Sequence, residues 1–225
     1  MQILGSEMDA PRSSNRRFAC ACRVPIGTCK NLDHPKKLEW LVGPFREGWA
    51  LGKYGAGTLK YGRLVQNYKY NAVHLGSADS EKLRTETMEE VLRSVNYFVA
   101  GYFPPSIREF DSVLPLPSSR QESKTMQHEI ASNLAGQGLL NLASTLKVGD
   151  GIHKQTKNLP GFSARAENRR KDYFVNDSSL LAQTTGILFI DDVYDTGATM
   201  KVCAELINEI RPDIPKYFLT VAYIK

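Results

Sequence analysis

Residues 187–200 read ILFIDDVYDTGATM. Ile187, Leu188, Phe189 and Ile190 make a continuous apolar run, the pattern of a strand buried on both faces of a parallel sheet. Asp191 and Asp192 end that run. Two adjacent carboxylates repel each other and cost free energy to desolvate, so packing alone does not account for them. At the carboxyl end of a strand in an open α/β sheet they face the crevice where such folds bind ligands.

The next residues, Asp195-Thr196-Gly197-Ala198-Thr199, bridge this strand and a helix expected over about 198–210. A turn with Gly197 inside it frees backbone N–H groups, and the helix N-terminus adds partial positive charge. Thr196 and Thr199 bring hydroxyl donors to the same rim, and together these groups form a cradle for a phosphomonoester. Asp191 and Asp192 supply acceptor oxygens able to hold two vicinal hydroxyls or a hydrated Mg2+. A phosphate beside a cis-diol is the outline of ribose 5-phosphate. The plainer alternative makes Asp195 or Thr196 a helix N-cap and the aspartate pair the start of a solvated loop.

Working outward, FDSVLPLPSSR (110–120) reads as a second core strand whose Pro115 and Pro117 send the chain into an extended exit loop. KYFLTVAYI (216–224) reads as a closing strand, EGWALGKYG (47–55) as a strand ended by Gly55 and Gly57, LASTLKV (142–148) as a short one, and YFV (173–175) as a strand edge. Residues 59–70 have apolar residues at helical spacing interrupted by Gly62. A long helix is expected over about 80–102, capped by Ser80 and ended by Pro104-Pro105, and another over about 124–137. Strands alternating with helices predict an α/β fold with a mostly parallel twisted sheet flanked by helices. The organisation expected is a tail and small Cys-containing segment at 1–46, a helical and looped hood at 47–108, and the α/β core at 109–225.

The chain has 225 residues, 42% hydrophobic and 24% charged, an ordinary globular composition. No stretch approaches the roughly 20 apolar residues of a membrane span, and the N-terminal residues lack the apolar core of a secretory signal, so no membrane association and a cytoplasmic location are expected. A formal net charge of +5 favours anionic partners without choosing between phosphorylated small molecules and nucleic acid. Cys20, Cys22, Cys29 and His34 form C-x-C-x6-C-x4-H, four zinc-ligand types in a short span. That spacing is less regular than paired C-x2-4-C knuckles, and the alternative is three unmetallated cysteines in an N-terminal segment. Cys203 falls in the apolar face of the 198–210 helix.

ILFIDDVYDTGAT resembles the phosphoribosyl-pyrophosphate (PRPP) motif of type I phosphoribosyltransferases: an apolar strand, two acidic residues and T-G-x-T. The resemblance sharpens toward the ComF-like subfamily, associated with competence and with amidophosphoribosyltransferase-like proteins. VLPLPSSR (113–120) is similar to its PVP-type strand and loop, and Gln127 stands where its members carry N-Q. KQTKNLPGFSARAENRRKDYF (154–174) is similar to its Q-x2-L, R-x2-N and final F signature through Gln155, Arg165, Asn168 and Phe174. LGKYGAGTLKYGRLVQNYKY (51–70) is similar to its stretch ending in K-Y, here Lys69-Tyr70. Two positions depart from the pattern: S-K-T-M-Q (123–127) replaces R-G-F-N-Q, and the cysteine-rich zinc module is only partly mirrored.

The resemblance, which covers about residues 49–225, implies a type I phosphoribosyltransferase-like core. It also implies PRPP and Mg2+ binding, with transfer of the phosphoribosyl group to an unidentified nitrogenous acceptor and release of pyrophosphate. It implies that Asp191 and Asp192 hold the ribose and metal, that 195–199 anchor the 5-phosphate, and that Ser118, Ser119 and Arg120 lie at the pyrophosphate loop. The basic stretch 149–172 takes the place of a catalytic loop, with Arg165 the foremost candidate among His153, Lys154, Lys157, Arg165, Arg169 and Arg170. Two other readings stay open: a non-catalytic PRPP or nucleotide sensor, and a competence-type accessory protein that binds single-stranded DNA or a DNA-processing partner.

Overall fold

The computed structural model describes residues 35–38, 41–55, 59–74, 77–103, 108–118, 125–149, 159 and 161–224. Its sheet grows around the apolar run that ends in the aspartates. That run opens β7 (Ile187–Tyr194), which lies parallel to β8 (Lys216–Tyr223) with Leu188 opposite Tyr217 and Asp191 opposite Thr220. On the far side of β7, β3 (Ser112–Pro115) is also parallel, and β4 (Leu140–Asn141) extends the sheet from it. Beyond β8 lie β2 (Glu47–Lys53), parallel, and β1 (Lys36–Lys37), the one antiparallel member. The order is therefore β1-β2-β8-β7-β3-β4, a mostly parallel mixed sheet. A separate antiparallel ribbon pairs β5 (Leu146–Val148) with β6 (Tyr173–Val175).

Every residue of β8 is buried, as expected when helices cover both faces. The period-two alternation of β7 divides the core accordingly. Leu188 and Ile190 pack with Val65 of α1 (Lys60–Lys69), Val91 and Phe98 of α2 (Ser77–Tyr102), and Ile130 of α3 (Met126–Ala135). Ile187 and Phe189 pack on the other face with Ala166 of α4 (Gly161–Asp172) and Val202, Cys203 and Leu206 of α5 (Ala198–Ile210). Each fully buried side chain of this size contributes about 1.5–3 kcal/mol of apolar transfer. Trp49 of β2 sits edge-on to Tyr102 and Phe103, at 5.1 and 4.8 Å between ring centroids, and fastens the end of α2 to the sheet.

The α/β reading holds, with local differences. The segment 47–108, expected as a hood, supplies β2 to the main sheet as well as α1 and α2 to one face. α2 starts at Ser77 rather than Ser80, and of LASTLKV only Leu146–Val148 is strand, because Ala143–Thr145 form a turn closed by Thr145 N–H donating to Leu142 O at 3.0 Å. Gly62 does not interrupt α1. A Cβ there would lie 2.5 Å from the Gly55 nitrogen, so the glycine lets the exit of β2 pass against the helix. Pro104-Pro105 and the zinc-ligand types Cys20, Cys22, Cys29 and His34 lie outside the described residues.

Candidate functional site

Past Ile190, β7 leaves the packed interior while its side chains still alternate. Asp192 turns toward the α1 face, where it forms an ion pair with Lys69 in the last turn of that helix. The Lys69 ammonium is well placed there, because a helix C-terminus favours cations. Burial works to lower its pKa, but the Asp192 charge and hydrogen bond, with Asp191, outweigh that and hold it above its ordinary value.

Asp191 turns the other way, within electrostatic reach of Arg169, Tyr173 and Cys203 on the α4–α5 side. Its Oδ1 accepts the Asp192 backbone N–H at 2.9 Å. Burial first, and the Asp192 charge second, push its pKa far above the carboxylate range. Burial likewise raises the Tyr173 phenol and the Cys203 thiol.

The turn after β7 is built around a glycine. Gly197 has φ +76°, and a Cβ there would come within 2.8 Å of both the Tyr194 hydroxyl and Val42 Cγ2. Gly197 is also the N-cap of α5, so the N-cap residue itself has no side chain to cap the helix, and no acidic residue stands in its first turn. The partial positive charge of this 13-residue helix is therefore left for a ligand. Thr196 Oγ1 accepts the Ala198 N–H at 3.4 Å. Arg165 reaches from α4 to this turn, with Nη1 3.0 Å from Asp195 Oδ2 and Nε donating to Leu159 O at 3.2 Å.

Across the cleft, the Tyr173 hydroxyl donates to Pro117 O at 3.1 Å and Arg169 donates to the Tyr173 hydroxyl at 3.3 Å, so the strand-exit loop and α4 share one wall. At the start of α3, Gln127 is almost fully buried. Its Nε2 donates to Leu116 O at 3.1 Å, while its Oε1 has no partner among the described residues.

These groups line one cavity of about 370 Å³. Asp191, Asp192, Asp195, Thr196, Gly197, Ala198, Thr199, Ser118 and Arg165, distant in sequence, all border it, as does Tyr194. Arg170 stands apart and pairs with Glu209 of α5 at 2.7 Å. His128 is half-buried and bonds Thr125 Oγ1 through Nδ1 at 2.6 Å, as fits a packing role. Ser119, Arg120, His153, Lys154 and Lys157 lie outside the described residues.

Sequence reasoning passed over Lys69, Tyr68 and Arg84 as site residues, and the K-Y pair at 69–70 was the only signal that could have found them. Among the described residues, the lining carries four cationic side chains (Lys69, Arg84, Arg165, Arg169) against three carboxylates (Asp191, Asp192, Asp195), a balance that suits an anionic ligand. Asp191 and Asp192 offer the hard oxygen donors that Mg2+ takes one or two at a time beside substrate phosphates. Among the described residues no group of three or more His, Cys, Asp or Glu could hold a metal by itself. None of the described helices is long and apolar enough to cross a membrane. No protein-family model matches this chain, and no curated protein matches it.

Proposed function

We propose that this protein binds PRPP at the carboxyl end of β7 and transfers its phosphoribosyl group to a nitrogenous acceptor. The observation that carries the reading is the convergence, in one cavity with more described cations than carboxylates, of a helix N-terminus behind a left-handed glycine with two carboxylates on the preceding strand. The 195–199 turn and the α5 N–H groups bind the 5-phosphate, and Asp191 and Asp192 accept hydrogen bonds from the ribose hydroxyls. Ser118, Arg165 and Arg169 border the same space and face the departing pyrophosphate. Mg2+ arriving with PRPP would be held by Asp191 and Asp192 and would neutralise pyrophosphate charge.

In the reaction the acceptor nitrogen forms a bond to C1 as the C1–oxygen bond breaks. The bonding pair leaves with pyrophosphate, and the acceptor gives up its proton. Positive charge develops at C1 and negative charge on the leaving group, so fixed guanidinium groups stabilise the transition state. A positioned cavity supplies the rest by holding C1 and the nitrogen in line.

Titration calorimetry of Mg-PRPP on the wild type and on Asp191→Asn/Asp192→Asn tests the site. The wild type should bind and the double variant should not, with folding checked by circular dichroism. Equal affinity in the two proteins removes the assignment. Pyrophosphate release with an acceptor separates transfer from sensing.

A further inference from the structure

Among the described residues, Arg84 of α2 is the cation of this cavity with no carboxylate assigned to it. Lys69 pairs with Asp192 and Arg165 with Asp195, and Arg169 lies near Asp191. Among the described residues Arg84 makes no ion pair, and its buried Nε has no acceptor. Its guanidinium lies over the Tyr68 ring at 5.4 Å from the centroid, and the Tyr68 hydroxyl donates to Glu129, which fixes the ring beneath it. Glu81 and Glu129 border a second cavity, about 600 Å³, that Arg84 also lines, yet neither pairs with it. A half-buried guanidinium that borders the cavity with no described carboxylate paired to it favours an anion bound there.

The side of the strand identifies which anion. Ser118, Arg165, Arg169 and Tyr173 stand with Asp191, where pyrophosphate is placed above. Tyr68, Lys69 and Arg84 stand with Asp192 on the opposite side, nearer the α1–α2 wall. That wall also carries Tyr54 and Tyr70, broad aromatic faces suited to a planar ring.

We propose that Arg84 anchors a carboxylate of the acceptor, and that the acceptor is therefore a planar nitrogen heterocycle bearing an acidic group. This rests on the phosphoribosyl-transfer reading. A guanidinium presents its planar fork to a carboxylate bidentately, which a lysine does not.

The test is calorimetry, with Mg-PRPP present, of heterocyclic carboxylic acids paired with their neutral carboxamides. The proteins are the wild type, Arg84→Met and Arg84→Lys, each checked for a cooperative melt. At least one acid should bind the wild type about tenfold or more tighter than its amide. Arg84→Met should lose that preference while keeping PRPP affinity, and Arg84→Lys should recover only part of it. Acids that bind Arg84→Met as well as the wild type overturn the proposal, as does a panel in which no acid binds. Loss of Mg-PRPP or pyrophosphate affinity in Arg84→Met, with acid binding intact, reassigns Arg84 to the leaving group and also overturns it. Titration of the acids without PRPP separates the two readings. Acid binding through Arg84 in a protein that does not bind PRPP keeps the anchor and removes the transfer reading, and binding of neither removes both.

Discussion

Replacing Lys69 by Met strips Asp192 of its counter-ion while leaving the carboxylate where it is, only 10% exposed at its side chain. At a contact of roughly 3 Å and an effective dielectric constant of about 20, the gross attraction is about 5 kcal/mol. Removing one partner of a fully buried pair costs about 3–5 kcal/mol. The Lys69 side chain keeps 30% of its exposure, so water shares in the pairing, and we expect about 2–3 kcal/mol at pH 8. Asp192 holds the Lys69 pKa above its ordinary value, so the contribution of the pair is fully present at pH 8, below the unfolded lysine value, and is lost only as pH rises through the native one. Urea denaturation of the wild type, Lys69→Met, Asp192→Asn and the double variant at pH 8 reads this directly, as a midpoint shift of about 1 M in the single variant. The double variant should lie within about 1 kcal/mol of Asp192→Asn, because the uncompensated charge is gone. A Lys69→Met protein within about 0.5 kcal/mol of wild type at pH 8 would falsify the account of Lys69 as the counter-ion of Asp192.

Two further perturbations probe neighbouring features. Gly197→Ala must hold φ +76° with a methyl group 2.8 Å from Tyr194 Oη and Val42 Cγ2. The left-handed backbone costs about 1–2 kcal/mol and the overpacking about 1–3 kcal/mol, so the urea midpoint should fall by an amount matching about 2–4 kcal/mol, and an unchanged midpoint contradicts the geometry of the turn. Asp191→Asn removes a carboxyl that burial and Asp192 hold above the ordinary range. Ionising Asp191 destabilises the wild type progressively above its unfolded pKa, so the variant's melting temperature should gain on the wild type as pH rises from 5 to 9, with the gain vanishing near pH 4. A difference that does not vary with pH refutes the raised pKa.

Much of this molecule is legible along the chain. The four apolar residues 187–190 announce a strand covered on both faces, and Asp191-Asp192 followed by D-T-G-A-T announce a polar rim at its end. Both signals are local: backbone dihedrals, side-chain alternation and helix capping depend on neighbours in sequence, so strand β7, helix α5 and the turn between them fall where the pattern puts them. Strands at 47–53 and 216–223 follow from composition in the same way. The long-range pairing does not. Nothing in EGWALGK states that it lies between β1 and β8, or that it belongs to the main sheet as well as leading into α1.

The site divides along the same line. The glycine turn and its paired carboxylates could be read along the chain, because a left-handed glycine at a helix N-terminus is a local construction. Which charges surround them is settled by packing. Lys69 and Arg84 lie more than a hundred residues before Asp192, on helices whose periodicity reports a buried stripe and not the neighbour it meets. Packing of α1 and α2 over one face of the sheet brings Lys69 onto Asp192 and sets Arg84 on Tyr68 without an acid, and strand alternation sends Asp191 to the opposite side. Coulomb interactions act through space, so the electrostatics of the cavity exist only once the sheet and helices are assembled.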